Sequence, residues 1–98
     1  MVEDGVWEAL ADPVRRLILD GLAERGGQSL FEVCVRLTSR HGVGVSREAV
    51  GRHLGVLEEA GLVRVRREGR CTVHDLNTEP LERIAARWLR PDPTEDAP

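Results

Sequence analysis

The spacing of apolar residues changes abruptly at Gly61, and that change restricts the fold more than any other feature. Before it, Ala49, Val50, Leu54 and Leu57 recur at the three-to-four-residue interval of a helix. After it, LVRVRRE and TVHDL alternate apolar with polar residues, the period of a strand with one covered face. Glu68-Gly69-Arg70 stands between them as a turn, so the two runs form a β-hairpin. Ser46 offers a hydroxyl to cap the helix and Gly61 ends it. The reading is a helix over 46–60 handing directly into a hairpin.

Upstream, a short helix is expected over residues 5–11, with Val6, Trp7 and Leu10 as its apolar stripe. Asp12-Pro13 reads as an N-cap followed by proline at the first helical position. The next helix, PVRRLILDGLAER, places Val14, Leu17, Ile18 and Leu22 on one face, and Gly26-Gly27 ends it. Ser29 with Glu32 three residues on fits a capping box for a third helix, along which Leu30, Val33, Cys34 and Leu37 recur. Residues 40–45, RHGVGV, read as a loop. Thr78 and Pro80 open a last helix, with Leu81, Ile84, Ala85 and Trp88 at helical spacing.

The order is therefore α-α-α-α-β-β-α, mostly helical with one small antiparallel hairpin. Two helices joined by a short turn and followed by a hairpin is the layout of a winged helix-turn-helix. One domain is expected over 1–90. The acidic, proline-rich residues 91–98 are expected to be a disordered tail.

Ninety-eight residues support one modest core, and with 41% apolar but only 3% aromatic residues it must be filled by aliphatic side chains. Pairing with a second copy would add buried surface that so short a chain lacks. No run approaches the ~20 apolar residues needed to span a bilayer, and the acidic start is no signal peptide. Cys34 and Cys71 show no CxxC spacing and read as two reduced thiols of a cytoplasmic protein, with a single Cys34–Cys71 disulfide or a redox role as the alternative.

The charge is distributed unevenly. All 14 basic residues are arginine and the formal net charge is −3, yet residues 1–12 carry a net −4, residues 46–70 a net +2 and residues 91–98 a net −3. A helix that enters a DNA major groove presents polar side chains near its N-terminus while its other face docks on the core. Ser46, Arg47, Glu48, Gly51 and Arg52 occupy the arc opposite the apolar stripe. Arg47 and Arg52 have the reach for guanine or phosphate, Glu48 can accept from cytosine, and Gly51 permits a close approach. At the hairpin tip, Arg66, Arg67 and Arg70 bracket Gly69, where a wing would meet the DNA backbone or minor groove.

WEALADPVRRLILDGL, SREAVGRHLGVLEEAGLVRVRREGR and HDLNTEPL together resemble the ArsR-type winged helix-turn-helix regulators over roughly residues 6–90. The resemblance implies a homodimeric, cytoplasmic transcription regulator, a repressor, bound to a near-palindromic double-stranded operator. It implies a dimer interface built from the first and last helices, here Val6, Trp7, Leu10, Leu81, Ile84, Trp88 and Leu89. For Trp7 and Trp88 an intramolecular core role stands beside the dimer role. The resemblance places His53 near the DNA backbone, whereas its spacing with Ala49 and Leu57 puts it at the edge of the buried stripe.

Many members of that family sense metals through a Cys-x-Cys pair in the third helix or through paired ligands on the last. Here the first site reads Cys34-Val35-Arg36, and Glu79 to Arg90 contains no His or Cys. Cys71 and His74 fall on opposite faces of their strand. A thiophilic site needs three or four converging ligands, so no metal and no cofactor are expected. No glycine-rich phosphate loop or paired-carboxylate constellation points to an enzyme. The alternative reading is a protein-interaction module on the same fold, without sequence-specific DNA binding.

Overall fold

The computed structural model describes residues 2–89, with side chains from Asp4 onward. Seven elements follow in the expected order: α1 Val2–Leu10, α2 Pro13–Glu24, α3 Leu30–His41, α4 Arg47–Glu59, β1 Val63–Glu68, β2 Cys71–Leu76 and α5 Glu79–Trp88. α1 begins three residues earlier than its apolar stripe suggested. The acidic tail from Pro91 lies outside the described residues.

The caps are where local chemistry put them. Asp12 accepts from the backbone N–H of Val14 at 2.8 Å and of Arg15 at 3.2 Å. Burial alone would raise its carboxyl, but those backbone donors and the His53 and Arg15 charges outweigh burial and hold it below the usual carboxylate range. Ser29 and Glu32 close a complete capping box, with Glu32 accepting from Ser29 N at 2.9 Å and Ser29 Oγ accepting from Glu32 N at 3.2 Å. Ser46 Oγ accepts from Ala49 N at 3.1 Å at the start of α4. α5 differs: the Thr78 hydroxyl donates to the Glu82 carboxylate and caps no backbone group, and Asn77 Oδ1 accepts from Glu79 N instead.

α2 lies at the centre, packed against α1, α3, α4 and β2. Its buried residues are Ile18, Leu19 and Leu22, with Val14 and Leu17 half-buried. Leu19 joins the expected face because neighbours approach this helix from several sides, which widens the covered arc. Val33 and Leu37 of α3, Val50, Leu54 and Leu57 of α4, and Leu62 and Val63 complete the centre with Val6 and Ala9 of α1. Gly61 adopts φ +80°, a left-handed conformation that lets Gly61 N reach Glu58 O and Leu62 N reach Leu57 O as the chain leaves α4.

β1 and β2 pair antiparallel from Val63↔Leu76 to Glu68↔Cys71. Alternation then puts Val65, Arg67, Thr72 and His74 on one sheet face and Arg64, Arg66, Glu68 and Asp75 on the other. The hairpin is also stitched to the α2–α3 turn. Gln28 pairs with His74 in a short bridge, with His74 N donating to Gln28 O at 2.8 Å and Gln28 N to His74 O at 3.2 Å. The His74 imidazole donates its Nδ1 proton to the same Gln28 oxygen at 2.8 Å. Gln28 itself is 1% exposed, and its amide nitrogen donates to Gly21 O and Arg25 O, closing the end of α2.

Candidate nucleic-acid interface

α4 and the hairpin form one composite surface. Gly51, Leu54 and Gly55 of the helix and Val65, Thr72 and His74 of the hairpin line a shared cleft, with Leu30 and Glu58 at its edges. Arg67 stands on that cleft-facing side of the sheet by register. Ser46, Arg47, Glu48, Gly51 and Arg52 are all exposed on the outer arc of α4, as their spacing required. A Cβ added at Gly51 would meet nothing within 4 Å, so the helix surface there is open.

The six arginines between 46 and 70 divide into two groups. Arg64 pairs with Glu79 at 2.7 Å, and Arg66 pairs with Asp75 at 2.6 Å and Glu68 at 2.8 Å. Arg47, Arg52, Arg67 and Arg70 have no carboxylate partner among the described residues. Positive charge that no acid neutralises is thus concentrated on the outer arc of α4 and the end of the wing, where an anionic polymer would lie.

Arg66 therefore departs from its expected role. It lies on the sheet face turned away from the cleft, toward the α2–α3 turn, and its hydrogen bonds to Asp75 and Glu68 bind its proton even more firmly. Asp75 accepts from Arg66 and from Gly27 N at 2.8 Å, and the Arg66 bond chiefly holds its carboxyl below the usual range. A Cβ on Gly26 would come within 2.7 Å of Asp75 Oδ1, so a larger residue there would have to displace that carboxylate. Arg66 anchors the wing to the body of the domain.

His53 is half-buried, and its Nδ1 lies 3.2 Å from Arg15 Nη1 of α2. It therefore sits at the edge of the buried stripe with part of its ring still exposed.

Helices α1 and α5 together carry an apolar surface. Trp7 and Trp88 sit with ring centroids 6.1 Å apart at 44°, yet remain 46% and 60% exposed, and Leu89 is 76% exposed. Leu10, Leu81 and Ile84 are half-buried beside the core. Val6 must be removed from the expected dimer set: at 1% exposure its side chain is used by its own core and has no surface to offer.

The residues present do not fit a metal. Cys34 is followed two positions on by Arg36, whose guanidinium turns to Glu24, and among the described residues no three ligating side chains converge. Among those residues no helix is long and apolar enough to cross a membrane.

A helical core of α1 to α4 whose last helix is presented beside a basic hairpin defines a winged helix-turn-helix DNA-binding domain. A helix-turn-helix domain family matches residues 10–66. The chain is 41% identical over 87 residues to the HTH-type transcriptional regulator YuzN of Bacillus subtilis, covering 89% of this chain and 95% of that one. It is 28% identical over 86 residues to the transcriptional repressor SdpR of the same organism, covering 88% and 87%. The solved structure of an ArsR-like transcriptional regulator from Rhodococcus sp. RHA1 superposes with a TM-score of 0.70 at 32% identity, covering 91% of this chain and 84% of that one. The chain belongs to the ArsR family of winged helix-turn-helix transcriptional regulators, a non-enzymatic family.

Proposed function

We propose that this regulator acts as a homodimeric repressor on a near-palindromic operator. Helix α4 would enter the major groove of each half-site, the two half-site centres about 34 Å apart. Ser46, Arg47, Glu48, Gly51 and Arg52 would face base edges and phosphates, while Arg67, Gly69 and Arg70 would lie along the flanking backbone or minor groove. The observation that carries this reading is the division of the arginines: those facing the cleft and the outer arc of α4 have no carboxylate partner among the described residues, and those facing away are paired. Repression is supported by the function named for SdpR. The dimer is supported by the exposed Trp7, Trp88 and Leu89 of the α1–α5 surface, which shares no residue with the arginine-bearing surface of α4 and the wing.

The test is selection of bound sites from random duplexes, with the winner's affinity followed across a salt series. A palindromic consensus whose log affinity falls steeply with log salt supports the proposal, because each neutralised phosphate releases a counterion. Absence of enrichment from a well-folded dimer would refute it in favour of a protein-interaction role.

A further inference from the structure

Arg15 reaches in two directions from α2. Its Nε–H donates to Ala9 O at 2.8 Å and its Nη2 to Glu8 O at 3.0 Å, so it closes the last turn of α1. Arg16 takes Leu10 O at 2.7 Å beside it. On the other side, Arg15 Nη1 meets His53 Nδ1 of α4 at 3.2 Å. A guanidinium has five N–H donors and no acceptor, so the imidazole nitrogen must accept. Nδ1 then carries a lone pair and the ring's one proton sits on Nε2. A proton arriving at Nδ1 sets two cations against each other and ends the bond.

We propose that Arg15 and His53 are a pH-gated positioning pair, holding α4 at a defined angle to α1 while His53 is neutral and releasing it when His53 is protonated. The inference rests on the DNA-binding dimer reading above. α1 belongs to the proposed dimer face and α4 to the proposed groove reader, so the angle between them sets how two α4 helices match two half-sites. His53 is then a positioning residue and not a contact to DNA.

The groups around His53 restrict what protonation can do. From α2 it faces Arg15 and the N-cap carboxylate of Asp12. From α1, through Arg15, come only the uncharged carbonyls of Glu8 and Ala9. On α4 itself the residues three and four positions away are Ala49, Val50, Val56 and Leu57, none ionisable. From α3 and β1, which also pack on α4, no described residue makes a hydrogen bond or ion pair to the ring. Protonation therefore repels Arg15 and leaves Asp12 as the partner for the charged ring, drawing it toward the N-terminus of α2.

The experiment combines ¹⁵N NMR of the imidazole rings with anisotropy titrations of the selected operator duplex between pH ~8 and ~5.5. The expected results are the Nε2–H tautomer of His53 at the upper end, an Arg15 Nε–H resonance that shifts in step with His53, and operator affinity falling about tenfold or more. His53→Asn, whose amide oxygen takes the place of Nδ1 and accepts from Arg15 but does not titrate, should bind within about threefold of the parent at pH ~8 and show a flat profile. An Nδ1–H tautomer at pH ~8, or a His53→Asn profile parallel to the parent's, overturns the pair. A chain that binds no duplex at any pH would instead refute the DNA-binding reading, and the ring tautomer still decides the junction.

Discussion

Replacing Gly51 by alanine should move folding and recognition in opposite directions. Glycine in a helix interior costs about 1 kcal/mol relative to alanine through backbone entropy. At most positions steric terms blur that figure, but here the site is exposed and an added Cβ meets nothing within 4 Å. The propensity term should therefore appear almost whole, at about 0.5–1 kcal/mol, which for a domain of this size raises Tm by roughly 3–6 °C. The same methyl group lies on the arc that would face the groove, where it should weaken operator binding about five- to tenfold, or ~1 kcal/mol. Gly55→Ala is the internal control. It lies one turn and about 6 Å further from the α4 N-terminus, with equally open space around it. It should match the gain in Tm and lose less affinity. Thermal denaturation by circular dichroism and anisotropy on the selected duplex read the two quantities. A fall in Tm would refute the open helix face. A rise in Tm with unchanged affinity would refute the docking of α4 through Gly51.

The two arginine groups should separate under mutation. Arg67→Ala is expected to leave Tm unchanged and reduce the magnitude of the log-affinity against log-salt slope by about 1 per subunit, whereas Arg66→Ala should lower Tm measurably through loss of its pair with Asp75 and leave the slope unchanged. Asp75→Asn tests the same junction by pH. Its carboxyl is held below the usual range, so its contribution is complete above the unfolded value near ~3.9 and is lost as pH falls through the lower folded value. In urea melts the variant should therefore be less stable than the parent at pH ~7, and the difference should shrink as pH falls below the unfolded value. Trp88→Ala should yield monomers in sedimentation velocity with the helical content preserved; an intact dimer would sink the assignment of the α1–α5 surface.

Much of this architecture could be read from short spacings. The Asp12, Ser29–Glu32 and Ser46 caps, the change of period at Gly61 and the alternation in the hairpin are local, involving residues two to four apart, and each formed as expected. What escaped is long-range. Arg15–His53, Gln28–His74 and Gly27–Asp75 join residues 38, 46 and 48 positions apart, and no periodicity encodes such partners. Arg66 and Arg67 are adjacent and chemically identical. Only the strand register and the position of Asp75 decide which one is paired. Val6 and Trp7 pose the same problem in a nine-residue helix, where both are apolar and only the packed core shows which face turns inward. Gln28 falls in no periodic run, and its burial depends on the carbonyls at the end of α2, which it satisfies.

The stitching of β2 to the α2–α3 turn bears on how the wing moves. Opening the hairpin would break the Gln28–His74 bridge, strip the amide of Gln28 of its setting and expose the end of α2, all together. The wing and the body of the domain therefore belong to one cooperative unit, and amide hydrogens of Val73 and His74 should exchange only as slowly as the core opens. A two-stranded ribbon alone would flicker. Tied down in this way, it meets its target already ordered, so little chain entropy is lost on contact and binding should show a heat-capacity change too small for coupled folding.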